Sequence, residues 1–395
     1  MQVVTGLDII KTRDGLVNKF PGKVGYLAHA ASVDGGLQHG IPIIKELFGA
    51  RFTKIFSPQH GLVGDEQDDM IESHHFHHPY FDLPIYSLYS ETRKPTPEML
   101  EGLDHVFIDL QDVGTRIYTY IYTMTYMMEA CAELGIQVVI LDRPNLINGI
   151  QLEGNMLEPE FCSFVGRHPL PVRHGMTSGE IAQMAKKYWR IDCELEVIPM
   201  EGWQRSMYFR DTGLPWVLPS PNLATPEAAM VFPGSVLFEG TNISEGRGTT
   251  RSLEMIGHPG IEPYGWLSEL QKTFHDVNLE GFTLRPVNFI PTFQKHQDIA
   301  CGGYQIHVTD SLKFQPWKVG QVLCKAFYVH LGDRFEWKQP PYEYEYKILP
   351  IDILNGSDQL RLWIEKDGSY EELLDLERSK WGDFEDQRNS VLLYD

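Results

Sequence analysis

Apolar residues in the first half of the chain come in short, nearly unbroken runs: KVGYLAHAAS, FTKIFSPQHG, HVFIDLQDVG, QVVILDRPN and ELEVIPM, with a weaker LPIYSLY between the second and third. Each is the length of a strand and rich in β-branched or aromatic residues, and helical periodicity can be drawn between most of them. The helix ends are marked as well. Gly40-Ile41-Pro42 opens a periodic run to Phe48-Gly49, Thr96 precedes Pro97 as a cap residue precedes a first-turn proline, and TSGE at 177–180 has the spacing of a capping box ahead of IAQMAKKYW. Strands that are apolar throughout and alternate with helices predict a mainly parallel sheet covered on both faces, an α/β fold of the Rossmann-like, doubly wound kind.

Around 200–235 the pattern gives way to a stretch rich in proline, glycine and tryptophan, the composition of a linker or a long loop over a site. Beyond it LRPVNFIPTF, GGYQIHVTD and the helical WKVGQVLCKAFYVHL predict a second, smaller α/β unit, and the tail from Pro350 reads as helical and charged. The chain therefore divides into residues 1–225 and 226–395, with a cleft between the two domains.

Four of the strand runs finish in polar residues able to do chemistry: His29, Gln59-His60, Gln111-Asp112 and Asp142-Arg143. Ligands of open α/β sheets bind outside the carboxyl ends of the strands, so these ends outline a candidate site. The second run leads into SPQHGLVGDEQDDMIE, where Glu66, Asp68, Asp69 and Glu72 offer carboxyl groups for the acid and base of glycosidic cleavage, or form a solvated acidic loop. HHFHHPYFD at 74–82 has four histidines in five residues, which raises zinc. Neighbouring side chains of an extended segment point in alternating directions, however, and no HExxH or matching cysteine pair accompanies them. FEGTNISEGRGTTRS at 238–252 could turn backbone N–H groups and a guanidinium toward an oxyanion, although it lacks the lysine of a P-loop. Arg116, Arg143, Arg173 and Arg247 each stand by a strand end or glycine turn, and an arginine fork reads a planar carboxylate well. There is no GxGxxG after the first strand and no GxSxG elbow, which argues against dinucleotide binding and a hydrolase serine.

Composition changes this picture little. The 395 residues are long for a single core, and 42% hydrophobic with 22% charged residues is ordinary for a globular protein. A net charge of −20 argues against nucleic acid and anionic membrane surfaces as partners, and no segment nears the roughly 18 continuous apolar residues of a membrane span. Five scattered cysteines without CxxC spacing suit reduced thiols and, with a start that meets charge before any long apolar run, a cytoplasmic location. Oligomeric state is left open.

Eight segments together resemble one family, the NamZ-type exo-β-N-acetylmuramidases: FSPQHG, SLYSETRKPTPEML, DLQDVGTRIYTY, LDRPN, FVGRHPLPVRHGMTSGE, DTGLPWVLPSPN, FEGTNISEGRGTT and CGGYQIHVTD, in the family's order from near residue 20 to about 330. The resemblance implies a Rossmann-like domain, a smaller C-terminal domain, and metal-free, nucleotide-free hydrolysis of a terminal β-1,4-linked N-acetylmuramic acid from the non-reducing end of peptidoglycan fragments. It gives the arginines a partner, the lactyl carboxylate. The expected site is then Glu72 as general acid, Glu66 as second carboxyl group, His60 and Asp112 positioning them, and Gln59, Arg116, Arg143, Arg173, His174, Asn242, Glu245 and Arg247 holding the saccharide. One departure stands out: many family members carry Glu where this chain has Gln59, and an amide neither donates a proton as an acid nor accepts one as a base. Two other readings follow from the residues, a muropeptide-binding protein without catalysis and a metal-dependent hydrolase using the histidine cluster.

Overall fold

A computed structural model describes residues 2–67 and 70–395. The strands in chain order are β1 (Val24–Ala28), β2 (Phe52–Ser57), β3 (Phe76–His78), β4 (Leu83–Ser87), β5 (His105–Asp109), β6 (Gln137–Leu141), β7 (Glu153–Met156), β8 (Pro171–Arg173), β9 (Leu195–Ile198), β10 (Met255–His258), β11 (Phe282–Phe289) and β12 (Cys301–Val308). Among the described residues seven of them form one sheet in the order β3-β4-β2-β1-β5-β6-β9. Every pair in it is parallel except β3–β4 at the edge. β1 and β5 are buried along their whole length, as strands covered on both faces must be. All six apolar runs became strands of this sheet; the antiparallel edge strand β3 comes from inside the histidine-rich segment.

The chain winds outward from β1 to β2 and β4, then returns to β5 on the other side of β1. The switch point therefore lies between the carboxyl ends of β1 and β5, where an open sheet usually takes its ligand. Here it is filled from within. His29 Nε2 accepts from the Gln111 backbone N–H at 3.0 Å, and its Nδ1 faces the Pro219 carbonyl at 3.2 Å. Burial holds this imidazole well below its ordinary pKa, so it is neutral, with Nδ1–H as the donor. Tyr120 donates to the same carbonyl at 2.9 Å. Part of the proline-rich stretch thus closes the crevice, and the accessible pocket is displaced toward β2.

The second unit is a three-stranded antiparallel sheet, β10-β12-β11, with helices Pro263–Asp276 and Pro316–Leu331. One core runs through both units, from β5 and helix Tyr120–Leu134 to helices Pro226–Ser235 and Pro316–Leu331. A second core lies under Gly6–Thr12 and Gly40–Phe48. Residues 226–235, read above as part of a loop, form a helix. Thr225 Oγ1 caps it by accepting from Ala228 N–H at 3.0 Å, and Pro226 occupies its first turn, where no N–H is needed. Its end meets helix Pro316–Leu331 backbone to backbone: a Cβ on Gly234 would lie 2.0 Å from the Pro316 carbonyl oxygen, and one on Gly320 2.5 Å from the Gly234 Cα.

The tail is helical, as expected, and it returns to the first unit. Arg116 reaches the Leu354 and Asn355 carbonyls, Trp381 the Gly154 carbonyl and Tyr394 the Asp142 carboxyl group.

Candidate active site

β2 delivers its last residues to a tight turn in which His60 (φ 69°) and Gly61 (φ 75°) are both left-handed. This turn points the Gln59 side chain at the start of helix Tyr120–Leu134, where Thr119 Oγ1 donates to Gln59 Oε1 at 2.8 Å. Fixing the amide oxygen leaves the amide nitrogen facing the other way. It donates to Glu343 Oε1 at 3.2 Å, while the Tyr89 hydroxyl donates to Glu343 Oε2 at 2.9 Å. Glu343 comes from the second unit, on a strap in which it (φ 44°) and Tyr344 (φ 67°) are left-handed. Glu239 follows helix Pro226–Ser235 and lines the same pocket, which counts ≈ 490 Å³ of space including its open side. Ile117, Val165, Phe232, Val236 and Leu253 supply apolar lining.

The two carboxyl groups have opposite surroundings. Glu239 is held by Arg247 through its Oε1, and accepts from the Tyr342 hydroxyl through Oε2 at 2.6 Å. Arg247 Nε also lies 3.1 Å from Glu245 Oε1, and Glu245 Oε2 is 2.7 Å from Lys295 Nζ. Lys295 donates further to the Phe238 and Ile243 carbonyls at 2.6 and 2.9 Å. Burial would raise Glu245, but Lys295 and Arg247 outweigh it and hold the group ionised. Glu343 is 4% exposed. Burial pushes it up to about 7, with the Glu239 carboxylate acting in the same direction against the donors Tyr89 and Gln59. A site in which one carboxyl group is bound to a guanidinium and the other is pushed by burial toward protonation is prepared for acid catalysis.

Of the residues expected from the sequence, Gln59, His60 and Arg247 line this pocket, and Glu245 stands behind Arg247. His60 donates from Nδ1 to the Glu66 carbonyl at 2.7 Å, and burial holds it down at about 4, so it serves as a neutral positioning group. Glu66 contributes that backbone carbonyl. Glu72 is an exposed rim residue that accepts from the Tyr344 hydroxyl at 3.0 Å, with Arg93 at 3.8 Å. Asp112 accepts from Gly114 N–H at 2.7 Å and sits 3.6 Å from His174 Nε2, away from the pocket. Arg116 donates to four backbone carbonyls, Arg143 pairs with Asp109, Arg173 with Glu153, and Asn242 bonds the 334–336 backbone. A buried guanidinium needs such partners, so these side chains brace the rim loops. Asp68 and Asp69 lie outside the described residues.

Glu239 lies within the 238–252 stretch, where the expectation from sequence falls on Glu245. Glu343 was missed altogether. The available signal was QPPYEYEYK, where two prolines precede alternating tyrosine and glutamate. Three histidines of the cluster are engaged locally: His75 accepts from Ser87 N–H, His77 meets Asp82, and His78 accepts from Tyr80 and Phe81 N–H. Among the described residues no three His, Cys, Asp or Glu side chains gather as metal ligands do.

A wound sheet whose rim helps to hold a pair of buried carboxyl groups offers the functional groups that a hydrolase of the glycosidase kind uses. Comparison with known proteins agrees. The N-terminal model of exo-beta-N-acetylmuramidase NamZ matches residues 24–227 and the C-terminal model residues 230–394. The chain belongs to the NamZ exo-β-N-acetylmuramidase family. It is 42% identical over 377 residues to the peptidoglycan beta-N-acetylmuramidase NamZ of Bacillus subtilis (strain 168), covering 94% of this chain and 87% of that protein. Crystal structures of two DUF1343 family proteins from Bacteroides fragilis NCTC 9343 share the fold. Their TM-scores are 0.86 and 0.73 at 29% and 28% identity, each comparison covering 100% of this chain and 99% of the other.

Proposed function

We propose that this pocket hydrolyses the β-glycosidic bond of a terminal N-acetylmuramic acid at the non-reducing end of peptidoglycan fragments, with Glu343 as general acid and Glu239 as its ionised partner. The observation that carries the reading is the pair itself: two buried carboxyl groups on one pocket, one paired with Arg247 and hydrogen-bonded by Tyr342, the other pushed toward protonation. Glycoside hydrolysis needs that division of labour. The Glu343 proton passes to the glycosidic oxygen as its bond to the anomeric carbon breaks. Positive charge develops at that carbon and is stabilised by the Glu239 carboxylate. Water then supplies the hydroxyl group, and its proton leaves to a carboxylate. Gln59 orients the acid, which gives position 59 a role that an amide can fill.

Unpaired thiols at all five cysteines support a reducing, cytoplasmic setting.

Incubation with a muramic-acid-terminated disaccharide tests the reading. Free N-acetylmuramic acid is released, Glu343→Gln lowers kcat by about 100- to 10,000-fold, and Gln59→Glu gives no large gain. If Gln59→Glu raises turnover tenfold while Glu343→Gln retains it, the acid role belongs to position 59. A chelator leaves the activity intact; its loss would transfer the chemistry to a metal.

A further inference from the structure

Next to the pocket, a larger and more open groove runs over the second unit, with ≈ 1340 Å³ of space including its open side. The two share a wall. Asn222 lines the pocket and Gln67 lines the groove, and they are bonded in both directions: Gln67 Nε2 donates to Asn222 Oδ1 at 3.3 Å, and Asn222 Nδ2 to the Gln67 carbonyl at 2.7 Å. Arg247 of the pocket is followed at once by Gly248, Thr249 and Thr250 of the groove. Thr292, on the groove, donates from both N–H and Oγ1 to the Gly248 carbonyl, at 3.0 and 2.9 Å.

The edge strand β11 lines the groove and presents Arg285 and Asn288 as exposed side chains. Arg285 is held in orientation by Gln305 Oε1 at 2.6 Å and His307 Nε2 at 3.2 Å. Tyr264, 70% exposed in the first turn of helix Pro263–Asp276, lines the same groove. An exposed phenol ring beside amide, hydroxyl and guanidinium groups suits a sugar, whose C–H faces pack on aromatic rings while its hydroxyl, acetamido and carboxylate groups take hydrogen bonds.

We propose that this groove holds the saccharide on the leaving-group side of the scissile bond, an amino-sugar chain carrying carboxylates. The proposal rests on reading the pocket as the glycosidase site. Adjacency is the argument: a pocket that takes one terminal sugar must let the rest of the chain leave, and the groove lies directly beyond the Gln67–Asn222 pair and next to Arg247. Arg285 supplies a cation for a lactyl carboxylate further along the chain, and Tyr264 a stacking face.

The test compares wild type with Tyr264→Ala/Arg285→Gln on three substrates: an aryl β-muramide, a muramic-acid-terminated tetrasaccharide, and the same tetrasaccharide bearing stem peptides. The double variant raises KM about tenfold for both tetrasaccharides, leaves their kcat unchanged and turns over the aryl muramide normally, which also shows that it is folded. Unchanged KM on the tetrasaccharides overturns the proposal. So does a defect confined to the peptide-bearing substrate, because the occupant would then be the peptide. If wild type turns over none of the three, the glycosidase reading has failed instead; calorimetric binding of the bare tetrasaccharide then decides the groove, and equal affinity of the two proteins overturns it.

Discussion

Glu343 holds a backbone conformation and an ionisation state that its neighbours must enforce. Two successive non-glycine residues in the left-handed region cost on the order of 1 kcal/mol each and persist only where surrounding contacts fix them. Those contacts are visible at Tyr344, whose ring lies 3.2 Å below the Arg93 guanidinium and 5.9 Å from the Tyr89 ring, while its hydroxyl donates to Glu72. Glu72, expected from the sequence to be the acid, thus helps to anchor the strap that carries Glu343. The raised pKa has a consequence for stability whose sign is set by proton binding. In the folded state Glu343 titrates at about 7 against 4.5 ordinarily, so its contribution is fully present below about 4.5 and is lost as pH rises through 7. Glu343→Gln removes that loss: relative to wild type it gains about 3 kcal/mol between pH 4.5 and pH 8. Denaturant titrations at the two pH values check it, and a gap independent of pH would refute it. The same group requires kcat/KM to decline above about pH 7, where the acid has lost its proton.

Lys295 extends the argument one residue outward. It braces Glu245 and, through it, the Arg247 that neutralises Glu239. Lys295→Met leaves Glu245 with a buried charge and one partner fewer, so we expect a stability loss of about 3 kcal/mol and an alkaline limb of the pH–rate profile moved upward, because the pocket becomes more negative. A loss of stability with an unmoved limb would reduce Lys295 to a purely structural role.

At the scale of elements, the site depends on how closely two helices cross. Glu239 follows helix Pro226–Ser235, and the end of that helix is set by the Gly234–Gly320 contact with helix Pro316–Leu331. Because the obstructing atoms are backbone, a methyl group cannot be accommodated by a rotamer change. Gly320→Ala should therefore cost about 1–3 kcal/mol or more, and should lower kcat as well by displacing Glu239. Thermal unfolding and kinetics on the disaccharide measure both; a variant as stable as wild type would show that the crossing has slack. The sheet contributes differently. Its switch point, the usual ligand crevice, is closed by His29, Gln111 and Pro219, so the fold-level rule gives the correct rim but the wrong gap along it.

For the whole molecule, a core shared by both units and a tail that returns to the first imply one cooperative unfolding transition. The last residues take part: Leu393 N–H donates to Glu180 Oε1 at 2.9 Å, Tyr394 to Asp142 at 2.6 Å, and Arg205 N–H to the Asp395 carbonyl at 3.0 Å. Deleting residues 391–395 should lower the Tm of the entire protein by several degrees, although these residues are remote in sequence from the parallel sheet. A separate early transition for the second unit would contradict this.

The sequence by itself determined the wound sheet, the capped helices at 40 and 178, the helical tail and the family, because each depends on local pattern: apolar runs, cap residues and ordered motifs. It also marked Gln59, His60 and Arg247, which stand at strand ends or glycine turns. Tertiary structure alone decided which carboxyl groups share a pocket. Gln59 and Glu343 are 284 residues apart and Glu239 and Tyr342 are 103 apart, and no local pattern encodes such meetings. Nor could spacing tell a ligand-reading arginine from one satisfied by buried carbonyls, since the difference lies in what the folded chain wraps around each guanidinium.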